Sequence, residues 1–384
     1  VTRTLEIRNL SGMVTGRVDD EVATPEVIRV EDGIITGFEP GPDPDAVLDA
    51  GGAVACPGLI DSHAHIVFGD WTPRQNALGW IESSMHGGVT SMMSASEVHL
   101  PGRPRDREGV KALAVAAQRA YENFRPGGVK VMAGSVIIEP TLEPEDFAEL
   151  KEKGVWLAKV GFGDFSPQAD AAPLVRAAQE NGFVVMNHTG GASIPDSSPV
   201  TIEDVLALGC DIIGHANGGT TALPDEDLPR LFDAPGAIQL VQAGNLRSST
   251  EIMEIALEED RLDRIVLATD TPTGTGVMPL GMIKTVCEIS SLCGLAASKV
   301  LALASGTNGA VLGVDQGILD VGRPADLFCC FRPLGSSQDG PLESIEYGDI
   351  PGIAAVVIDG EVRALKSRNT PAPDGACELK EKNG

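Results

Sequence analysis

The chain has 384 residues, with 29 Lys and Arg against 55 Asp and Glu for a formal net charge of -26. That length accommodates one large unit and a smaller one, because cores rarely grow past roughly 250–300 residues before splitting. So negative a surface repels phosphate backbones and anionic lipid, which argues against a nucleic-acid partner, and the absence of any apolar run of about 18 residues argues against a membrane span.

In chain order, the first fifty-odd residues carry short β-like runs at Thr4–Ile7, Val27–Val30 and Ile34–Phe38, with a turn at Glu31-Asp32-Gly33. The opening residues lack the apolar stretch of a signal peptide, so a cytoplasmic location is expected. Strands and helices then alternate. The predicted strands are Gly58–Asp61, Val89–Ser94, Val129–Ala133, Trp156–Val160, Phe183–Asn187, Ile212–Gly214, Ile238–Val241 and Ile265–Thr269. The predicted helices are Glu108–Asn123, Glu145–Lys153, Ala171–Asn181, Ile202–Ala207 and Ser249–Glu258. This alternation predicts an α/β fold with parallel strands, and eight of them fit a closed (β/α)8 TIM barrel better than an open sheet. Short strands return at Gly317–Asp320, Ala325–Phe331 and Ala354–Val362. Residues 1–55 and 315–384 therefore read as one small β-domain assembled from both chain ends, around a barrel at 56–314. The tail from about Ser367 reads as an arm or a disordered segment.

The histidines carry the chemistry. His63 and His65 end the first barrel strand, and residues two apart in a strand share a face, so both imidazoles point into the barrel mouth. His188 ends the Phe183 strand, His215 the Ile212 strand and Asp270 the Ile265 strand. A lone histidine at a strand end is usually a satisfied core or surface residue. Several converging with an aspartate at the C-terminal face of a barrel point instead to a metal. His86 reads as structural, whereas His99, in a loop after the second strand, is a candidate substrate contact. Thr189 and Asn217 each precede a Gly-Gly pair beside a histidine, which either lets backbone approach a ligand or simply makes a turn. Gln242 and Asn245 follow the seventh strand as further polar candidates. The seven cysteines form no CxxC pair, which predicts neither disulfides nor a cysteine-bound metal.

The stretch Pro57-Gly-Leu-Ile-Asp-Ser-His-Ala-His65, the later His188, His215 and Asp270, and Gly317-Ile-Leu-Asp-Val-Gly-Arg-Pro-Ala-Asp-Leu327 together resemble the amidohydrolase superfamily. Within it, Gly69-Asp-Trp-Thr-Pro-Arg-Gln75, His188-Thr-Gly-Gly-Ala-Ser-Ile-Pro195 and Gly348-Asp-Ile-Pro-Gly-Ile353 are similar to the enamidases of nicotinate catabolism. The resemblance implies a binuclear barrel with a β-sandwich, a homotetramer, and hydrolysis of 6-oxo-1,4,5,6-tetrahydronicotinate to 2-formylglutarate and ammonia. It assigns His63, His65 and Asp270 to one divalent metal, and His188 and His215 to the second. The chain departs from the enamidase pattern in the fourth strand, where Lys159 stands in place of a glutamate. Other superfamily branches use a carboxylated lysine there, so Lys159 is the expected bridge. The alternative is an ordinary lysine at a one-metal site, or one that contacts an anionic substrate.

Zinc, iron and manganese all suit these ligands. Asp270 is expected to move a proton between the attacking water and the leaving nitrogen. An anionic substrate needs a cation against the global field, and Arg74 and Arg103 are the candidates because guanidinium pairs bidentately with carboxylate. Hydrolysis of another lactam, imide or hydantoin, or a deamination, remains open, since function lives in the site rather than the fold. A metal-free scaffold protein is the reading from another class. Against it stands the presence of every expected ligand, because buried His and Asp clusters without metal are costly.

Overall fold

The computed structural model describes residues 3–66, 79–97, 102–194, 197–272 and 276–382. Within them the central apolar runs pair in parallel and in chain order, as expected for strands separated by helices. One sheet joins Leu59–Ala64, Val89–Ser94 and Lys130–Met132, and a second runs Ser135–Ile137, Leu157–Val160, Val184–Asn187, Ile212–Ile213, Ala237–Val241 and Ile265–Ala268. The break between the two sheets falls at Gly134, which has a φ of +95° and where a Cβ would lie 2.8 Å from the Ala114 carbonyl oxygen. The single strand expected over 129–133 is therefore two short ones that change direction at a glycine. The first and last strands of the series meet at their C-terminal ends. Ala64 bridges Thr271 in parallel, the Asp270 N–H donates to the His63 carbonyl at 2.8 Å, and the His65 N–H donates to Thr271 at 2.8 Å.

All five predicted helices are present, within a few residues of the expected ends. The first of them, Arg107–Glu122, shows why they form: Asp106 caps it by accepting from the Gly109 N–H, and it buries Val110, Ala114 and Ala117 at helical spacing. Helices at Trp80–Met85, Gly281–Cys293, Ala297–Leu303, Gly306–Leu312 and Pro341–Tyr347 add to those read from the sequence.

The chain ends build two five-stranded sheets. One is ordered Glu378–Glu381, Ala46–Asp49, Thr4–Arg8, Val27–Glu31, Ile34–Gly37; the other is Glu361–Leu365, Gly352–Ile358, Leu327–Phe331, Val54–Pro57, Gly12–Met13. Ile7, Ile28 and Leu48 from the first share one apolar cluster with Leu327, Cys329 and Val357 from the second. Three expectations need correction. Gly317–Asp320 forms no strand, and Ala354–Val362 is a hairpin that turns at Asp359-Gly360, both with positive φ. The tail from Ser367 does not trail away: Ser367 Oγ donates to the His86 carbonyl at 2.7 Å, and Glu378–Glu381 closes a sheet edge against Ala46–Asp49. All seven cysteines are free.

Among the described residues no helix is long and apolar enough to cross a membrane.

Candidate active site

At the joint between the Leu59 and Ile265 strands, His65 Nε2 lies 2.9 Å and His63 Nε2 3.3 Å from Asp270 Oδ1. One donor atom from each of the three residues falls within 4.8 Å of the others. Both histidines are buried. Burial would raise the Asp270 carboxyl; against it act His63, His65 and His215, to the extent that they carry a proton, and the hydrogen bond from His65, which set it well below the usual carboxylate range. The His63 imidazole is pushed well below its ordinary value, first by burial and then by Lys159, so it is neutral and free to act as a ligand.

The second group stands across the mouth. His188 Nδ1 faces His215 Nε2 at 2.9 Å, with the rings edge to face, and the His63 and His215 ring centroids are 5.3 Å apart. His188 Nε2 sits 2.8 Å from the Gly191 carbonyl, which can only accept, so that nitrogen carries the proton and Nδ1 presents its lone pair. Burial lowers His188 to about 4 and His215 well below its ordinary value. His215 with φ +38° and Asp270 with φ +56° occupy the left-handed region, a departure that clusters at functional sites. Lys159 is buried in the Leu157–Val160 strand, its Nζ 3.1 Å from Met186 Sδ and 5.9 Å from the centre of the Phe162 ring. Burial pushes its amine down to about 7, with Asp270 opposing.

This donor set fits divalent cations. Neutral imidazoles and an ionised carboxylate are the ligands that zinc, iron and manganese take. His215 Nδ1 is a buried polar atom without a hydrogen-bond partner, a cost that native proteins accept mainly where an ion or function repays it.

Residues 54–363 match the amidohydrolase family. The chain belongs to that family. It is similar to the enamidase of Eubacterium barkeri, 42% identical over 380 residues that span 97% of this chain and 98% of that protein. The imidazolonepropionase of Sphingopyxis alaskensis is 26% identical, over 85% of this chain and 94% of that protein. The crystal structure of enamidase superposes with a TM-score of 0.93 at 40% identity, covering 98% of this chain and 100% of that one. A β-aspartyl dipeptidase from Fervidobacterium islandicum gives a TM-score of 0.63 at 17% identity, covering 100% and 99%, a likeness of fold alone.

The expected substrate contacts of this amidohydrolase fare unevenly. Arg74 and His99 lie outside the described residues. Arg103 is buried with its guanidinium on the Glu139 carboxylate, the Phe162 carbonyl (2.8 Å) and the Pro104 carbonyl (3.0 Å). The Asn217 side chain is engaged at both ends: Nδ2 donates to the Val241 carbonyl and to Ser249 Oγ, and Oδ1 accepts from the Val241 N–H, each at 2.9 Å. Asn245 caps the helix Leu246–Glu258 through Arg247 and Ser248 N–H, and the Thr189 hydroxyl accepts from Asn187 Nδ2 at 2.9 Å. Gln242 is half-buried just after the Ala237–Val241 strand. The His86 carbonyl accepts from Ser367 Oγ at 2.7 Å, and its Nδ1 accepts from the Arg368 N–H at 3.4 Å.

Three residues of the site were not anticipated from the sequence. Phe162 packs its ring 5.1 Å from that of His188, Glu139 holds Arg103, and Gln239 reaches His63 Nδ1 at 2.6 Å. Gln239 alone left a signal, as the one polar residue in Ala237-Ile-Gln-Leu-Val241.

Proposed function

We propose that this amidohydrolase opens a cyclic enamide, 6-oxo-1,4,5,6-tetrahydronicotinate, consuming two waters to give 2-formylglutarate and ammonia. The observation that carries the reading is the convergence of His63, His65 and Asp270 beside His188, His215 and Lys159, in a chain 42% identical to an enamidase. His63, His65 and Asp270 would hold one divalent cation and His188 and His215 the other, with Lys159 as a carbamate between them. Zinc or iron is the expected metal, and manganese fits the same donors. Such cations, when bound, polarise the amide carbonyl and acidify water towards neutral pH.

The protein's own contribution is proton handling. Asp270, ionised and beside the reacting centre, takes the proton of the attacking water and returns it to the ring nitrogen as the C–N bond breaks. The freed enamine tautomerises to an imine, which a second water converts to aldehyde and ammonia. A buried Lys159 with its amine lowered to about 7 is unprotonated often enough to add carbon dioxide. The same reading takes the strand series as a closed barrel (residues 56–314) and the two terminal sheets as a sandwich (residues 1–55 and 315–384), in a cytoplasmic homotetramer.

Lys159 in place of a glutamate favours a second ring type, a lactam, imide or hydantoin, as the alternative substrate. The deciding assay gives metal-analysed protein 6-oxo-1,4,5,6-tetrahydronicotinate and a panel of those rings, following ring opening and ammonia separately. Turnover of the first with both products is expected. Inactivity towards it with turnover of another ring would shift the assignment, and ammonia without ring opening would make the protein a deaminase.

A further inference from the structure

Gln239 sits in the middle of the Ala237–Val241 strand and is fully buried. A primary amide in an apolar strand is costly unless its hydrogen bonds are made. Here both ends are engaged. Nε2 donates to Ser62 Oγ at 2.9 Å, while Oε1 lies 2.6 Å from His63 Nδ1 and 3.3 Å from the His215 backbone nitrogen. The backbone N–H can only donate, so it fixes which end of the amide is oxygen. A carbonyl oxygen can only accept, so His63 must carry its proton on Nδ1. Its Nε2 then presents a lone pair towards Asp270 Oδ1, 3.3 Å away. Two electron-rich atoms that close repel each other, and a shared cation removes the repulsion.

We infer that Gln239 is a positioning residue: its side-chain oxygen holds His63 in the tautomer that offers Nε2 to a metal, and through the His215 backbone it ties the two ligand groups together. This rests on the metal-dependent reading above. Ligating histidines ordinarily donate their second N–H to an outer acceptor, and losing that acceptor typically costs 10–100-fold in metal affinity.

The test strips the full-length protein with a chelator and titrates Zn2+ back against a chromophoric competitor. Gln239→Leu fills a similar volume without an acceptor, and Gln239→Glu keeps one. Leu is expected to weaken zinc by about 10–100-fold, and Glu to stay within a few-fold of the wild type. A Leu variant that binds like the wild type overturns the inference. So does a Glu variant that loses as much as Leu, because packing rather than the acceptor would then be at work. If the Leu variant does not fold, the Glu variant decides alone, and a loss beyond about tenfold overturns the assignment. A wild type that takes up no zinc would instead remove the metal-dependent reading itself.

Discussion

His63, His65 and Asp270 meet across one joint between strands, whereas His188 and His215, which come from neighbouring strands of the second sheet, lean also on loops and side chains. In the first group the Asp270 N–H bonds to the His63 carbonyl and the His65 N–H to the Thr271 carbonyl, both at 2.8 Å, so the joint between strands sets the spacing of the three side chains. In the second, the His188 N–H likewise bonds to the Val160 carbonyl at 2.8 Å, but the His215 N–H meets the Gln239 side chain, at 3.3 Å, and His215 turns out of its strand with φ +38°. Gly190 follows His188 closely, and a Cβ on it would lie 1.6 Å from the Thr221 carbonyl oxygen, so no other residue fits that turn. The wall beside His188 is Phe162, whose carbonyl is held by Arg103 and through it by Glu139. Disturbing the first group means disturbing the sheet. The second can be loosened one contact at a time, and three substitutions or conditions should show it.

The largest effect is expected at the buried ion pair. Arg103 and Glu139 are both almost fully buried, and Glu139 Oε2 also accepts from the Asp164 N–H at 2.9 Å. Removing one partner of such a pair strands a charge and costs about 3–5 kcal/mol. Arg103→Met should therefore lose about that much in urea unfolding, and Arg103→Met with Glu139→Met should recover most of it. If Arg103 instead serves the substrate carboxylate, Arg103→Met raises KM and leaves the unfolding midpoint where it was. That result would dissolve the contrast between the two groups.

Next comes acid. Burial lowers His188 from 6.5 to about 4, with the Gly191 carbonyl opposing. Between those values the unfolded chain binds a proton that the folded one does not, so folding free energy falls as pH drops below 6.5 and levels off for this group near 4. For the metal-free protein the loss is about 3 kcal/mol, read from urea midpoints at stepped pH. His63 and His215, shifted the same way, add to the slope. His188→Gln should make the slope shallower without flattening it. An unchanged slope would mean that His188 is not sequestered in this way.

The unequal legibility of these groups follows from their distance along the chain. Strand tips such as His63, His188 and Asp270 announce themselves because each follows an apolar run, a local pattern. The partners that orient them do not. His63 and Gln239 are 176 positions apart, and Arg103 and Glu139 36, so only the folded chain shows which side chain each one meets. Asn217 illustrates the converse. Its Gly-Gly neighbour reads as a ligand loop, but its amide is fully engaged in bridging Val241 and Ser249. The Gly134 break was equally hidden, because three-residue strands on either side of it carry too little periodicity to read.

Lys159 is where the two groups of ligands are proposed to meet, so it gives the comparison its finest test. If Lys159 bridges as a carbamate it is a direct ligand, so Lys159→Ala should weaken the second cation by at least about 10²-fold, roughly 2.7 kcal/mol, no less than the upper end of what losing an outer-shell partner costs. The cation at His63, His65 and Asp270 should be lost later in the same chelator titration. Lys159→Glu restores an anionic bridge without carbon dioxide and should recover the second cation. Bicarbonate should raise metal content in the wild type only, and more so above pH 7, where the amine lowered to about 7 is mostly neutral. Metal content in the wild type that ignores bicarbonate, with Glu no better than Ala at this position, would leave Lys159 as a plain buried amine against Met186 and the second group without a bridge.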